Sequence, residues 1–106
     1  MENLERFERI ISAQSNEPFV IAEIGQAHDG SLGMAISLMQ AAAQSGAHAV
    51  KFQTHLASEE SSSHDQFRVP VFPQDKSRYD YWQRMEFTKA EWLKIAEEAG
   101  RLGVVF

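Results

Sequence analysis

Cysteine is absent from the 106 residues. Disulfides, thiolate zinc sites and cysteine nucleophiles are therefore excluded. Long apolar runs are missing too: none approaches the ~20 residues that span a bilayer. The opening stretch MENLERFERI mixes Glu and Arg and has no apolar core, unlike a secretory leader. The expected setting is cytoplasmic, with no membrane partner. Excess positive charge is also lacking. Ten Lys and Arg stand against fifteen Asp and Glu, for a net charge of −5. A nucleic-acid surface would be basic, so no nucleic-acid partner is expected. An anionic ligand must be held by a local cation, against the net charge.

What is present is ordinary for a globular chain: 43% apolar and 24% charged residues. That suits one small domain and does not suit compositional disorder. No internal repeat, low-complexity tract or domain boundary interrupts it.

The organising stretch runs from Pro18 to His55. Residues 19–24, FVIAEI, are nearly all apolar, as in a parallel strand covered on both faces. Side chains alternate, so Phe19, Ile21 and Glu23 share one face. Glu23 then lies at the carboxyl end of a buried strand, where a carboxylate needs a partner. Gly25 to Ser31 forms a turn in which Asp29 or Ser31 can cap the next helix. The G-x4-G spacing is not a phosphate loop, because Gly30 is followed by Ser-Leu. Leu32 to Ser45 carries an apolar stripe at helical spacing, ended by Gly46. Residues 47–54 are the second strand. Val50 and Phe52 point one way; Ala49, Lys51 and Gln53 point the other. A face apolar at its base and polar at its carboxyl end fits the interior of a β/α barrel near its mouth. A lysine guarding a sheet edge is the plainer alternative.

Around this unit the reading is coarser. Residues 1–17 fit a short helix or a strand that caps the core. Residues 55–78 lack periodicity, a length that is usually functional or mobile. Within them the apolar segment Phe67 to Pro73 should pack back onto the domain. Tyr79 to Met85 reads as one or two helical turns. Thr88-Lys89-Ala90-Glu91 is a capping box, and Trp92, Ile95, Ala96 and Ala99 make a helical stripe. Gly100 or Gly103 ends that helix. Val104 to Phe106 begins a third strand. The order β, α, β, long loop, α, β implies a parallel sheet with right-handed crossovers. A chain that stops as a strand starts is expected to be part of something longer.

Four histidines have no helical metal-site spacing. His28 and His55 are placed to line a pocket; His48 and His64 read as surface residues. Glu23 with Lys51 is the most specific pair. It is either a buried ion pair holding the sheet, or a site in which Lys binds an anion and Glu handles a proton or orients substrate.

AEIGQAHDGSLGMA, then GAHAVKFQTH, then RYDYWQRMEFT resemble the N-terminal part of the sialic acid (N-acetylneuraminate) synthase family. The resemblance covers residues 18–106. It implies an α/β fold, a (β/α)8 TIM barrel, of which residues 1–106 supply the first βαβαβ portion. These residues are then the N-terminal part of one barrel domain, since a whole barrel needs on the order of 250 residues. The implied reaction condenses phosphoenolpyruvate with N-acetylmannosamine or a related amino sugar and releases phosphate. Glu23 is implied as catalytic, Lys51 at phosphoenolpyruvate, and Gln53 and Gln74 at the sugar. A divalent metal, Mn2+ or Mg2+, is implied as cofactor, with ligands outside this chain. The full-length protein is expected to be a homodimer, and these 106 residues alone to be inactive. The motif departs from the commoner Asn-His-Asn/Glu-Gly at Ala27-His28-Asp29-Gly30, and His48 replaces an acidic residue. Two other readings stay open: a Schiff-base aldolase using Lys51, and a non-catalytic module that associates through its sheet edge.

Overall fold

The computed structural model describes residues 2–106. It contains helix α1 (Glu2–Ile11), strand β1 (Ile21–Gly25), helix α2 (Leu32–Gln44), strand β2 (Ala49–Phe52), and helices α3 (Ala57–Glu60), α4 (Arg78–Met85) and α5 (Lys89–Leu102). Local chemistry sets the helix starts. The Ser31 hydroxyl accepts the Met34 N–H and begins α2; Ser77 does the same for Asp80 in α4. Thr88 and Glu91 form both halves of the capping box that opens α5. Gly103, at φ 73, ends α5 by donating its N–H to Ala99 and Gly100. Glycine is needed there because side chains rarely tolerate this backbone region.

β1 and β2 pair in parallel, with Ile21 opposite Ala49, Ala22 opposite Val50 and Glu23 opposite Lys51. The register slips between Glu23 and Gly25, so Gly25 meets Phe52. The expected third strand is a single parallel bridge from Val105 to Ala49. Val50 donates to the Val105 carbonyl at 2.9 Å, and Val105 donates to His48 at 3.0 Å. Among the described residues this strand pairing goes no further.

The core lies between one face of this sheet and helices α2 and α5. Ile24, Val50 and Val104 meet Ala35 and Met39 of α2, Ile95 and Ala99 of α5, and Phe87. Met39 and Ile95 are fully buried. Among the described residues one face of the sheet is covered. Both helices pack on the same side, and Ile21 on the opposite face remains 52% exposed.

The ambiguous N-terminal segment is a helix. α1 buries none of its own side chains. It is tied to the domain by Asn3, which donates to the Gly103 carbonyl at 2.8 Å, and by Phe7, whose ring lies 5.3 Å from Phe19. The long segment after β2 holds the short helix α3. Its apolar stretch does pack back: Phe67 and Phe72 lie 5.9 and 4.6 Å from Tyr81 of α4. Val69 and Val71 between them stay exposed, so the packing is aromatic and confined to two rings.

Candidate active site

Strand alternation and register together place Glu23 and Lys51 side by side on the open face of the sheet. Lys51 Nζ lies 3.0 Å from Glu23 Oε2, with side chains 61% and 45% exposed. Among the described residues the pair is therefore not buried. An exposed pair of this kind contributes about 0–1 kcal/mol to stability. The edge-guard alternative fails as well, because β2 has β1 on one side and the Val105 bridge on the other. What remains is a cation and a carboxylate presented together at the carboxyl ends of two parallel strands.

Gln53 lies one residue beyond β2 and is exposed. Gln74 is exposed in the segment between α3 and α4. Neither side chain makes a hydrogen bond among the described residues. The ion pair is thus assembled by the sheet, whereas the two amides stand free at the ends of loops.

His28 is not a pocket residue. It is fully buried, with its ring 4.5 Å from Phe87 and 6.2 Å from Phe52. Its Nδ1 accepts the Gly30 N–H at 2.9 Å, which leaves the proton on Nε2. That Nε2 is buried with no partner among the described residues. Burial lowers the pKa of His28; nearby Asp29 opposes this and His55 adds to it. The ring is a neutral core element that shapes the loop after Glu23. His48 also acts locally: its Nδ1 accepts the Val20 N–H at 2.9 Å beside the Phe19 ring.

His55 faces a more polar setting. Its Nδ1 lies 2.7 Å from a Glu60 oxygen, and its Nε2 meets the Gln26 amide. The ring stacks on Trp82 at 4.1 Å. With Nδ1–H donated to the carboxylate, Nε2 accepts from Gln26, so both ring nitrogens are used. His55 therefore ties the first loop to α3 and α4.

A second tie was not legible in the sequence. Arg84, in the last turn of α4, donates to the carboxylates of both Asp75 and Asp29. The Asp75 side chain is only 4% exposed. The Asp75 hydrogen bonds are the main cause holding the Arg84 guanidinium above its ordinary value. Gly30 lies directly beneath: a Cβ there would sit 2.2 Å from the Arg84 carbonyl oxygen. At φ 79 that position requires glycine twice over, for backbone and for space. The sole advance signal was an arginine at a helix C-terminus, which ordinarily implies dipole pairing.

Among the described residues no group of three His, Asp or Glu side chains is placed to hold a metal ion. No described helix is long and apolar enough to cross a membrane.

The NeuB family model matches residues 38–106, from the middle of α2 to the last residue. The chain belongs to the NeuB family. This NeuB-family chain is 33% identical over 91 residues to an N,N'-diacetyllegionaminic acid synthase of Legionella pneumophila, covering 83% of the chain and 26% of that protein. It is 40% identical over 75 residues to the Bacillus subtilis spore coat polysaccharide biosynthesis protein SpsE, covering 71% and 20%. Among solved structures it is similar to a sialic acid synthetase of Leptospira borgpetersenii crystallised with citrate. The TM-score is 0.67 at 30% identity, over 86% of this chain and 28% of that one. The NeuB-family chain thus has an α/β fold similar to part of that synthetase, and it spans about a quarter of the relatives it matches.

Proposed function

We propose that this chain supplies one wall of the active site of a sugar-acid synthase built on a (β/α)8 barrel. The reaction is condensation of phosphoenolpyruvate with N-acetylmannosamine or a related amino sugar, giving a nonulosonate and phosphate. The observation that carries this reading is the Glu23–Lys51 pair, 3.0 Å apart on the open sheet face. The names of the relatives support the substrate class.

In this reading Lys51 neutralises the carboxylate or phosphate of phosphoenolpyruvate, a local cation against a net charge of −5. Displacing Glu23 from the ammonium leaves a carboxylate beside the reacting carbons, where it orients water or moves a proton. Gln53 and Gln74 offer amide donors and acceptors to sugar hydroxyls. The described residues do not fit a divalent cation site: His55 and Glu60 are a pair already engaged with each other. The chemistry assigned to this chain is therefore anion binding, sugar binding and proton handling.

The test is phosphate release from phosphoenolpyruvate by the complete polypeptide carrying these residues, with and without an amino sugar. Release that depends on the sugar and collapses in Lys51→Ala is the expected result. Sugar-independent release, or none with any amino sugar, would overturn the reading.

A further inference from the structure

Arg84 reaches in two directions from the end of α4. Its Nε and Nη2 donate to Asp75 at 3.0 and 2.7 Å. Its Nη1 donates to the Asp29 carboxylate at 2.7 Å and to the Asp29 carbonyl oxygen at 3.2 Å. Phe72 and Tyr81 flank the guanidinium, with ring centroids 5.8 and 5.6 Å from its carbon. Asp29 belongs to the loop that follows Glu23, and its own backbone is held at φ 55. Asp75 directly follows Gln74. One guanidinium thus bridges the loop after the carboxylate strand and the loop bearing a candidate sugar ligand.

We infer that Arg84 is a positioning residue that fixes the Gln74 loop to the Glu23 loop and thereby sets the affinity for the amino sugar. This rests on the proposed function. Residues 61–77 form no helix or strand, and a segment of that length samples many conformations unless tied. Ordering it when sugar arrives would cost affinity; a clamp in place beforehand removes that cost. Arginine suits the task because its planar fork serves a bidentate carboxylate and a second loop at once, which a lysine ammonium does not. The burial of Asp75 makes the contact persistent, since water competes poorly there.

Two readouts on the complete polypeptide test this, comparing wild type with Arg84→Gln and Arg84→Lys. The first is limited trypsin cleavage after Lys76, which is exposed in the clamped loop, against cleavage after Lys94 within α5. Arg84→Gln is expected to speed cleavage at Lys76 roughly tenfold or more, with Lys94 unchanged. The second is steady-state kinetics. The KM for the amino sugar is expected to rise roughly tenfold while that for phosphoenolpyruvate holds, with Arg84→Lys intermediate. Unchanged cleavage at Lys76, or a released loop with an unchanged sugar KM, would overturn the inference. Faster cleavage at Lys94 with both KM values raised would also overturn it, by showing a merely structural role. Should Arg84→Gln not fold, Asp29→Asn leaves the Asp75 pair intact and puts the same question. A wild type lacking sugar-dependent turnover refutes the proposed function, while the cleavage comparison still decides the clamp.

Discussion

Glu23 and Lys51 are direct register partners on neighbouring parallel strands, and their charges meet at 3.0 Å while both side chains remain open to solvent. A pair placed for stability alone would gain little there. Lys51→Ala should accordingly leave folding within about 1 kcal/mol of wild type, measured by urea denaturation. In the complete polypeptide, under the proposed function, it should lower kcat/KM for phosphoenolpyruvate by about 10²–10³-fold, as loss of a preorganised charge contact does. Wild-type kinetics would remove the anion role. A covalent adduct at Lys51 after borohydride treatment with pyruvate would instead assign a Schiff-base aldolase.

Gln53 stands just past β2 with its amide uncommitted. Gln53→Ala should raise the KM for the amino sugar roughly tenfold, in line with one or two lost hydrogen bonds. The KM for phosphoenolpyruvate should stay put. Steady-state kinetics with each substrate varied in turn checks this; an effect confined to phosphoenolpyruvate would reverse the assignment.

Met39 and Ile95 join the two crossover helices beneath the sheet, each with no exposed surface. Met39→Ala or Ile95→Ala should cost about 2–5 kcal/mol, the transfer loss plus an unfilled cavity. Urea or thermal unfolding measures it. A loss under 1 kcal/mol would mean that α2 and α5 do not share one packed core.

Burial lowers the pKa of His28 in the folded chain. The unfolded state therefore takes up a proton at higher pH than the folded state does. Stability should be fully present above about pH 6.5, the ordinary histidine value, and decline as pH falls toward the lowered one. Below that value the decline levels off, since both states are protonated. His28→Gln should flatten this slope between pH 7.5 and 5, read as the urea midpoint against pH. An unchanged slope would assign the acid sensitivity to other groups.

Much of this was legible in the chain because it depends on near neighbours. The Thr88–Glu91 box, the Ser31 cap and the Gly103 stop act over a few residues, so local chemistry placed α2 and α5. Alternation along FVIAEI and AHAVKFQT put Glu23 and Lys51 at strand ends, and the motifs around them pointed to the family. His28 was misjudged for a physical reason. A histidine in a glycine-framed loop reads as lining a pocket until the rings of Phe52 and Phe87, far away in sequence, are seen to enclose it.

The sequence by itself determined the β1–α2–β2 unit, the helices α4 and α5, the strand-end charges and the family, since periodicity, capping and motif residues are properties of short windows. Only the tertiary structure decided which sheet face α2 and α5 cover, that Glu23 and Lys51 meet as an ion pair, and that Arg84 joins Asp29 to Asp75. Those depend on contacts between segments tens of residues apart, where side-chain reach and burial are set by packing and no local pattern records the partner.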